Sequence, residues 1–412
     1  MGGTLFRYRG RENGDLLNRA GEGTRAGFRS RRLVVLALLA AALIPVVASW
    51  SWIDAQARAV VVLSSVLETP IVKQAVELLM PEPSVEDTVF DGRPALVAKP
   101  AGEGPWPAIL FVNGTVPEGR TLPEVQSLAR GLARAGYLVV VPDLPGLRRD
   151  EISEETVSST VETALAVADL PESRDGRVGL VGASTGATLA LLAAETPSVG
   201  GRTSVVAGIA PYTDIRTVLA IATTGHYREG EEYILYESDP LLSYVVARSM
   251  VAALSPGEDR EKLRSELEEV DRLDPEPLAR LRARPTGDLG PEARRVVELL
   301  ANEDPERFDE LYAALPPEVG ESLDRLSPLA ETGRIEVPVE LASGPKDKYF
   351  PVSESYAIGR IAPEYRVTVT GALDHAELRA SVRDIPAFLR MDGFVVRSLR
   401  EARRAAPRKS KR

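Results

Sequence analysis

The chain of 412 residues has no cysteine, and histidine occurs only twice, at His226 and His375. Without cysteine there are no disulfides, no thiolate nucleophile and no cysteine-based zinc site. Two histidines that form no H-E-x-x-H argue against a metal hydrolase, so no metal is expected. Any chemistry must therefore run on oxygen nucleophiles, carboxylates and very few imidazoles. Aromatic residues are also scarce, at 5%, yet the hydrophobic share of 44% is ample for a core. The length exceeds that of one ordinary domain.

Charge is unevenly spread. Residues 1–32 hold eight arginines against Glu12, Asp15 and Glu22, and residues 395–412 hold eight basic residues against Glu401. The net charge of −10 therefore understates how acidic the middle is. An acidic body repels phosphate backbones, so no nucleic-acid partner is expected.

Uncharged apolar residues run from Leu33 to Trp52, about the 20 a membrane helix needs. Arg25, Arg29, Arg31 and Arg32 precede the run, while Asp54 and Arg58 follow it. The positive-inside rule then makes 1–32 a basic cytoplasmic arm and 33–52 an anchor with everything after it outside the cell. Trp50 and Trp52 suit an interfacial position, and Pro45 is tolerable in a membrane helix. The alternative is a cleaved signal sequence with Ala55-Gln56-Ala57 as its site, releasing a secreted protein. Residues 53–83 read as an amphipathic juxtamembrane segment broken near Pro70, packing on the body or lying at the lipid surface. They end in the linker Pro81-Glu82-Pro83-Ser84.

The motif carrying most chemical information is Gly182-Ala183-Ser184-Thr185-Gly186, between the apolar run Val178–Val181 and the small-residue run Ala187–Ala194. Strand, tight turn with serine, then helix is the layout of a nucleophile elbow. Its base is expected at His375, on the loop after the β-rich stretch Tyr365–Thr370. Asp347, after the apolar strand Val337–Leu341, is the expected acid that fixes the imidazole tautomer. Asp214, after an earlier strand, is the rival acid. Asp374 reads as a loop residue beside the base, His226 as a surface or insertion histidine, and Tyr212 as lining or packing near the pocket.

With Ser184, Asp347 and His375 in the order Ser…Asp…His, the chain resembles the α/β-hydrolases, especially the dienelactone-hydrolase-like and serine-esterase branches. Further matching features are Val89-Phe90-Asp91-Gly92-Arg93, Pro105–Gly114, Gly136-Tyr137 through Pro142-Asp143, and Asp175–Val178. The resemblance spans roughly 84–214 and 324–394. Asn113 stands where many relatives have histidine before glycine. Serine replaces the cysteine of dienelactone hydrolases themselves, which argues against that particular activity. The resemblance implies an oxyanion hole from the N–H groups of Thr185 and of Thr115 or its neighbour, and no cofactor.

Apolar runs predict strands near 86–90, 94–99, 107–113, 137–142, 177–182, 203–209, 336–342 and 364–370, with helices at 121–135, 154–169 and 186–195. Thr121 and Glu124 suggest a capping box for the first helix. The alternation predicts a doubly wound, mostly parallel sheet with an antiparallel start at Asp91-Gly92. Residues 84–214 and 324–394 then form the two parts of the core. Residues 215–323 show no convincing strand and read as a helical cap inserted over the site. Residues 395–412 read as a solvated basic tail, with anionic lipid as a second reading.

The expected activity is hydrolysis of a carboxylic ester, small or lipid-like, through an acyl-enzyme. An acyltransferase or peptidase using the same triad is open, as is a non-catalytic tethered scaffold. The oligomeric state is not legible.

Overall fold

The computed structural model describes residues 50–67, 70–330, 334–378 and 384–404. Two units divide at Asp54/Ala55. In the first, residues 50–54 are helical, with Trp50, Trp52 and Ile53 exposed. The arm 1–32 and positions 33–49 of the expected anchor lie outside the described residues. Among the described residues no helix is long and apolar enough to cross a membrane.

The second unit is built on ten strands that matter here: β1 Ser84–Phe90, β2 Arg93–Lys99, β3 Trp106–Val112, β4 Leu138–Pro142, β5 Ser173–Ala183, β6 Thr203–Ile209, β7 His226–Glu229, β8 Glu232–Leu235, β9 Val339–Ser343 and β10 Tyr365–Val369. Eight of them form one sheet in the order β1-β2-β4-β3-β5-β6-β9-β10. The β1–β2 hairpin turns at Asp91 and Gly92, both with positive φ, the conformation that favours Asp-Gly in a tight turn. β2 runs antiparallel to β4, and from β4 to β10 every neighbour is parallel.

Period-two alternation sends the two faces of this sheet into different cores. Ile109 and Phe111 of β3 join Val139, Val125, Leu132 and Leu399 on one face. Ala108, Leu110 and Val112 join Val140, Val167, Leu189 and Leu191 on the other. Both faces being covered explains why the central strands read as unbroken apolar runs.

The segment between β6 and β9 contains helices Ile215–Thr224, Leu241–Ala252, Glu258–Glu268, Pro291–Leu300 and Pro317–Asp324, with shorter turns between. The absence of strands expected there is corrected by the β7–β8 hairpin, turning at Gly230. Its strands of four residues carry Arg228, Glu229 and Glu232 in solvent, so no apolar alternation marks them. Leu242, Val246, Met250, Leu263 and Val296 belong to the same buried cluster as Leu110 and Leu189. The insertion and the sheet thus share one core.

Two other expectations need correction. The first helix is not opened by Thr121: its N-cap is Leu122 with Pro123 at its first turn, and the Thr121 hydroxyl donates back to the Glu118 carbonyl. Proline's missing N–H makes a side-chain cap less necessary there. The capping box occurs instead at Ser153 and Thr156, on helix Glu154–Asp169. The second concerns 395–412: helix Ile385–Ala402 runs through the boundary at 394, burying Val396, Leu399 and Ala402. Arg397 pairs with Glu340 of β9 at 2.8 Å, and Tyr137 donates to the Leu399 carbonyl. Amphipathic spacing outweighs the basic composition up to Arg404. Residues 405–412 lie outside the described set. Residues 55–66 are helical and bury Ala55, Ala59, Val61 and Val62 in the core beside Leu132, so this part of 53–83 packs on the body.

Candidate active site

Parallel strands that end at one edge bring their following loops together, and the site residues lie on those loops. Ser184 follows β5, Asp347 follows β9 and His375 follows β10.

Ser184 has φ 54° and ψ −130°, a strained conformation for a side-chain-bearing residue. Close packing on both sides holds it. A Cβ on Gly182 would sit 2.3 Å from the Gly186 carbonyl oxygen, and one on Gly186 would sit 2.1 Å from that of Val112. Only glycine fits either position. The Ser184 N–H donates to the Ile209 carbonyl at 2.7 Å, clamping the elbow to β6. Helix Thr185–Glu195 starts at the next residue.

Asp347 and His375 are buried and in contact. His375 Nδ1 lies 2.9 Å from each Asp347 carboxylate oxygen. A carboxylate only accepts, so Nδ1 carries the proton and Nε2 presents its lone pair. Asp347 Oδ1 also accepts from the Tyr349 and Phe350 N–H groups, at 2.8 and 3.0 Å. Tyr349 and Phe350 pack edge-on against the imidazole, with centroids 4.5 and 5.7 Å away. His375 Nε2 is buried without a hydrogen-bond partner. The Ser184 hydroxyl is thus not bonded to it here. Phe350, which packs on His375, and Thr185, next to Ser184, line one cavity. The structure therefore brings Asp347 and His375 into direct contact, while Ser184 is linked to the cavity only through its neighbour Thr185.

The rival acids have other partners. Asp214 caps helix Ile215–Thr224 by accepting from the Arg216 N–H. Asp374 sits in a short ladder opposite Glu377. His226, on β7, contacts the Thr224 carbonyl through Nδ1 at 2.7 Å. Tyr212 is fully buried and packs edge-on against Phe350.

The two N–H groups expected to form an oxyanion hole stand in different surroundings. Thr185 is the first residue of its helix, where an N–H has no intrahelical acceptor. The Thr115 N–H, by contrast, donates to Thr185 Oγ1 at 3.1 Å. That donor is already engaged, which corrects the expectation for Thr115 itself. The β-hydroxyl one residue past the nucleophile reaches it because Gly114 lies against Ser184.

The cavity is narrow, with about 20 Å³ of free volume. The core supplies Thr185, Tyr212 and Phe350, while the insertion supplies Leu242, Val246 and Met250. Its lining is almost wholly apolar. The insertion also grips the loop that carries Asp347, since Tyr236 donates to the Asp347 carbonyl at 2.5 Å.

Glu354, buried behind the site, was not flagged by any sequence pattern. Its carboxylate accepts from the Thr213 and Asp214 N–H groups at 2.7 and 2.8 Å. Burial pushes its pKa up to about 7, against the stabilising hydrogen bonds from Thr213 and Asp214. A folded-state pKa above the unfolded value means the native state holds the proton more tightly. That contribution to stability is complete below about pH 4.5 and is lost as pH rises through about 7. Glu354→Gln keeps an acceptor for both N–H groups and cannot ionise. The variant's melting temperature, relative to wild type, should rise between pH 5 and pH 8. A pH-independent difference would show that Glu354 does not titrate with folding.

An eight-stranded, mostly parallel sheet with a serine elbow after β5 defines a hydrolase-type α/β architecture. A model of the Alpha/beta hydrolase family matches residues 109–345, more than half of the chain. The chain belongs to the alpha/beta hydrolase family. No curated protein matches it in sequence. Among solved structures, an alpha/beta hydrolase superfamily protein from Enterococcus faecalis shares 16% identity over 77% of this chain and 99% of its own, with a TM-score of 0.43. A 2,6-dihydroxy-pseudo-oxynicotine hydrolase shares 17% over 81% and 73%, with a TM-score of 0.40. A puromycin-hydrolyzing peptidase from Mycobacterium tuberculosis shares 18%, with a TM-score of 0.41, covering 77% of this chain but 37% of the peptidase.

Proposed function

We propose that the protein is a serine hydrolase that cleaves a carboxylic ester with an apolar acyl group. The observation that carries this reading is the buried Asp347–His375 pair, whose Nε2 has no hydrogen-bond partner, together with Ser184 on a loop at the same end of the sheet. His375 takes the proton from Ser184 as its oxygen attacks the ester carbonyl, and Asp347 steadies the imidazolium that forms. The Thr185 N–H receives the oxyanion. The alcohol leaves with the proton from His375, water attacks the acyl-enzyme with His375 again as base, and the free acid departs. The apolar lining between Thr185 and Met250 favours an apolar acyl group over a polar one and keeps water from the reacting carbonyl. Covalent labelling by a fluorophosphonate, together with turnover of p-nitrophenyl esters, tests the reading. Labelling without ester turnover would shift it to an amide substrate or to acyl transfer, and absence of both would leave a binding protein on this fold.

The arginine flank before Leu33–Trp52 supports a single-pass tether in the cell membrane, with the catalytic unit outside the cytoplasm. The substrate class would then be esters or lipid-like molecules reachable from that side. Protease added to spheroplasts of an expressing bacterium should digest the hydrolase unit and spare a short amino-terminal fragment. Protection of the whole chain until lysis would reverse the topology. A mature chain starting near Arg58 would replace the tether with a cleaved signal.

A further inference from the structure

Arg272, in the insertion between helices Glu258–Glu268 and Ala279–Ala283, reaches across to the core. Its Nε and Nη2 donate to the two carboxylate oxygens of Asp150 at 2.7 and 3.1 Å. Asp150 is almost fully buried and stands at φ 56° after the turn Leu147–Arg149. Nη2 donates as well to the Thr115 carbonyl, at 3.2 Å. Burial opposes the charge on Arg272, but the hydrogen bonds and charge of Asp150 outweigh it and raise its pKa. The fork geometry of a guanidinium allows this three-point grip, which lysine could not reproduce.

Both backbone polar groups of Thr115 are therefore engaged, each by a different element. β3 lies between β4 and β5 in the sheet. The Thr115 carbonyl is held by Arg272, itself anchored by Asp150 in the loop after β4, while its N–H is held by Thr185 after β5. In a planar trans peptide the N–H points opposite to the carbonyl. The Thr115–Val116 peptide, with its carbonyl bonded to Arg272, therefore points the Val116 N–H away from Arg272. Among the described residues that N–H has no acceptor, and the Val116 carbonyl is fixed by the Gly119 N–H at 3.0 Å.

We infer that Arg272, held by Asp150, is a positioning residue for the oxyanion loop, fixing the Thr115 carbonyl so that Val116 N–H is the second oxyanion donor. The inference rests on the serine-hydrolase reading and gives the insertion a role in chemistry as well as in covering the cavity.

The test compares wild type with Arg272→Met, and with the paired variant Arg272→Gln/Asp150→Asn. The pair avoids leaving a buried carboxylate unpaired, and asparagine tolerates the left-handed backbone at 150. The quantities measured are kcat and KM on a short-chain p-nitrophenyl ester, and inhibition by an alkyl boronic acid that forms a tetrahedral anion on Ser184. Losing one oxyanion donor costs on the order of 10²–10³ in rate, so misplacing one should lower kcat about 10- to 100-fold. KM should change by no more than about twofold, and boronate affinity should fall by a factor similar to kcat. Val116→Pro, which deletes the N–H, should lose at least as much. Wild-type kcat and boronate affinity in a folded Arg272 variant would overturn the inference. So would a fall in kcat that boronate affinity does not follow. If wild type itself is not labelled by a fluorophosphonate, the serine-hydrolase reading falls instead.

Discussion

Ser184→Ala is expected to abolish both fluorophosphonate labelling and ester turnover while leaving the melting temperature close to that of wild type. The variant keeps Cβ and with it the packing against Gly114. It also keeps the backbone bond from residue 184 to the Ile209 carbonyl, which holds the elbow to β6. Only the attacking oxygen is lost. What remains is transition-state stabilisation by the oxyanion donors, which leaves roughly 10³–10⁴ over water in enzymes of this mechanism and falls below detection in ordinary assays. Equilibrium unfolding and steady-state turnover measured on one preparation settle the point. Retention of most wild-type activity would remove Ser184 from the chemistry.

His375→Ala and Asp347→Asn are each expected to lower kcat by three to four orders of magnitude, with about the same KM. Asp347→Asn is the more informative. Its remaining oxygen can still accept from the Tyr349 and Phe350 N–H groups, so the loop after β9 should persist. Its new amide would donate to Nδ1 and force the imidazole proton onto Nε2, the tautomer that cannot take a proton from Ser184. Asp214→Asn should stay near wild type because Asp214 is occupied in capping a helix, and His226→Ala should too. A crippled Asp214→Asn beside a mild Asp347→Asn would reassign the acid to the loop after β6.

The apolar runs around Ile109, Val140, Leu180 and Val206 announced the central strands, because strands covered on both faces carry no polar alternation. Asp91-Gly92 announced the hairpin for an equally local reason, two adjacent residues that accept positive φ. The insertion was legible only as a break in rhythm. Its β7–β8 hairpin is too short and too charged to leave a period-two trace. The carboxy-terminal helix was missed as well, because its basic residues masked Val396 and Leu399 at helical spacing.

By itself the sequence determined the strand–turn–helix around Ser184, since Gly182 and Gly186 meet a steric demand that is written within five residues. It also determined the order of serine, acid and base, and excluded any thiol chemistry. The tertiary structure decided which carboxylate meets His375, that Thr185 Oγ1 occupies the Thr115 N–H, and that Arg272, held by Asp150, grips the Thr115 carbonyl. Those pairings join residues 28, 70 and 157 positions apart. No local window encodes such contacts, because they depend on where the ends of separate strands converge and on how the insertion packs back over them.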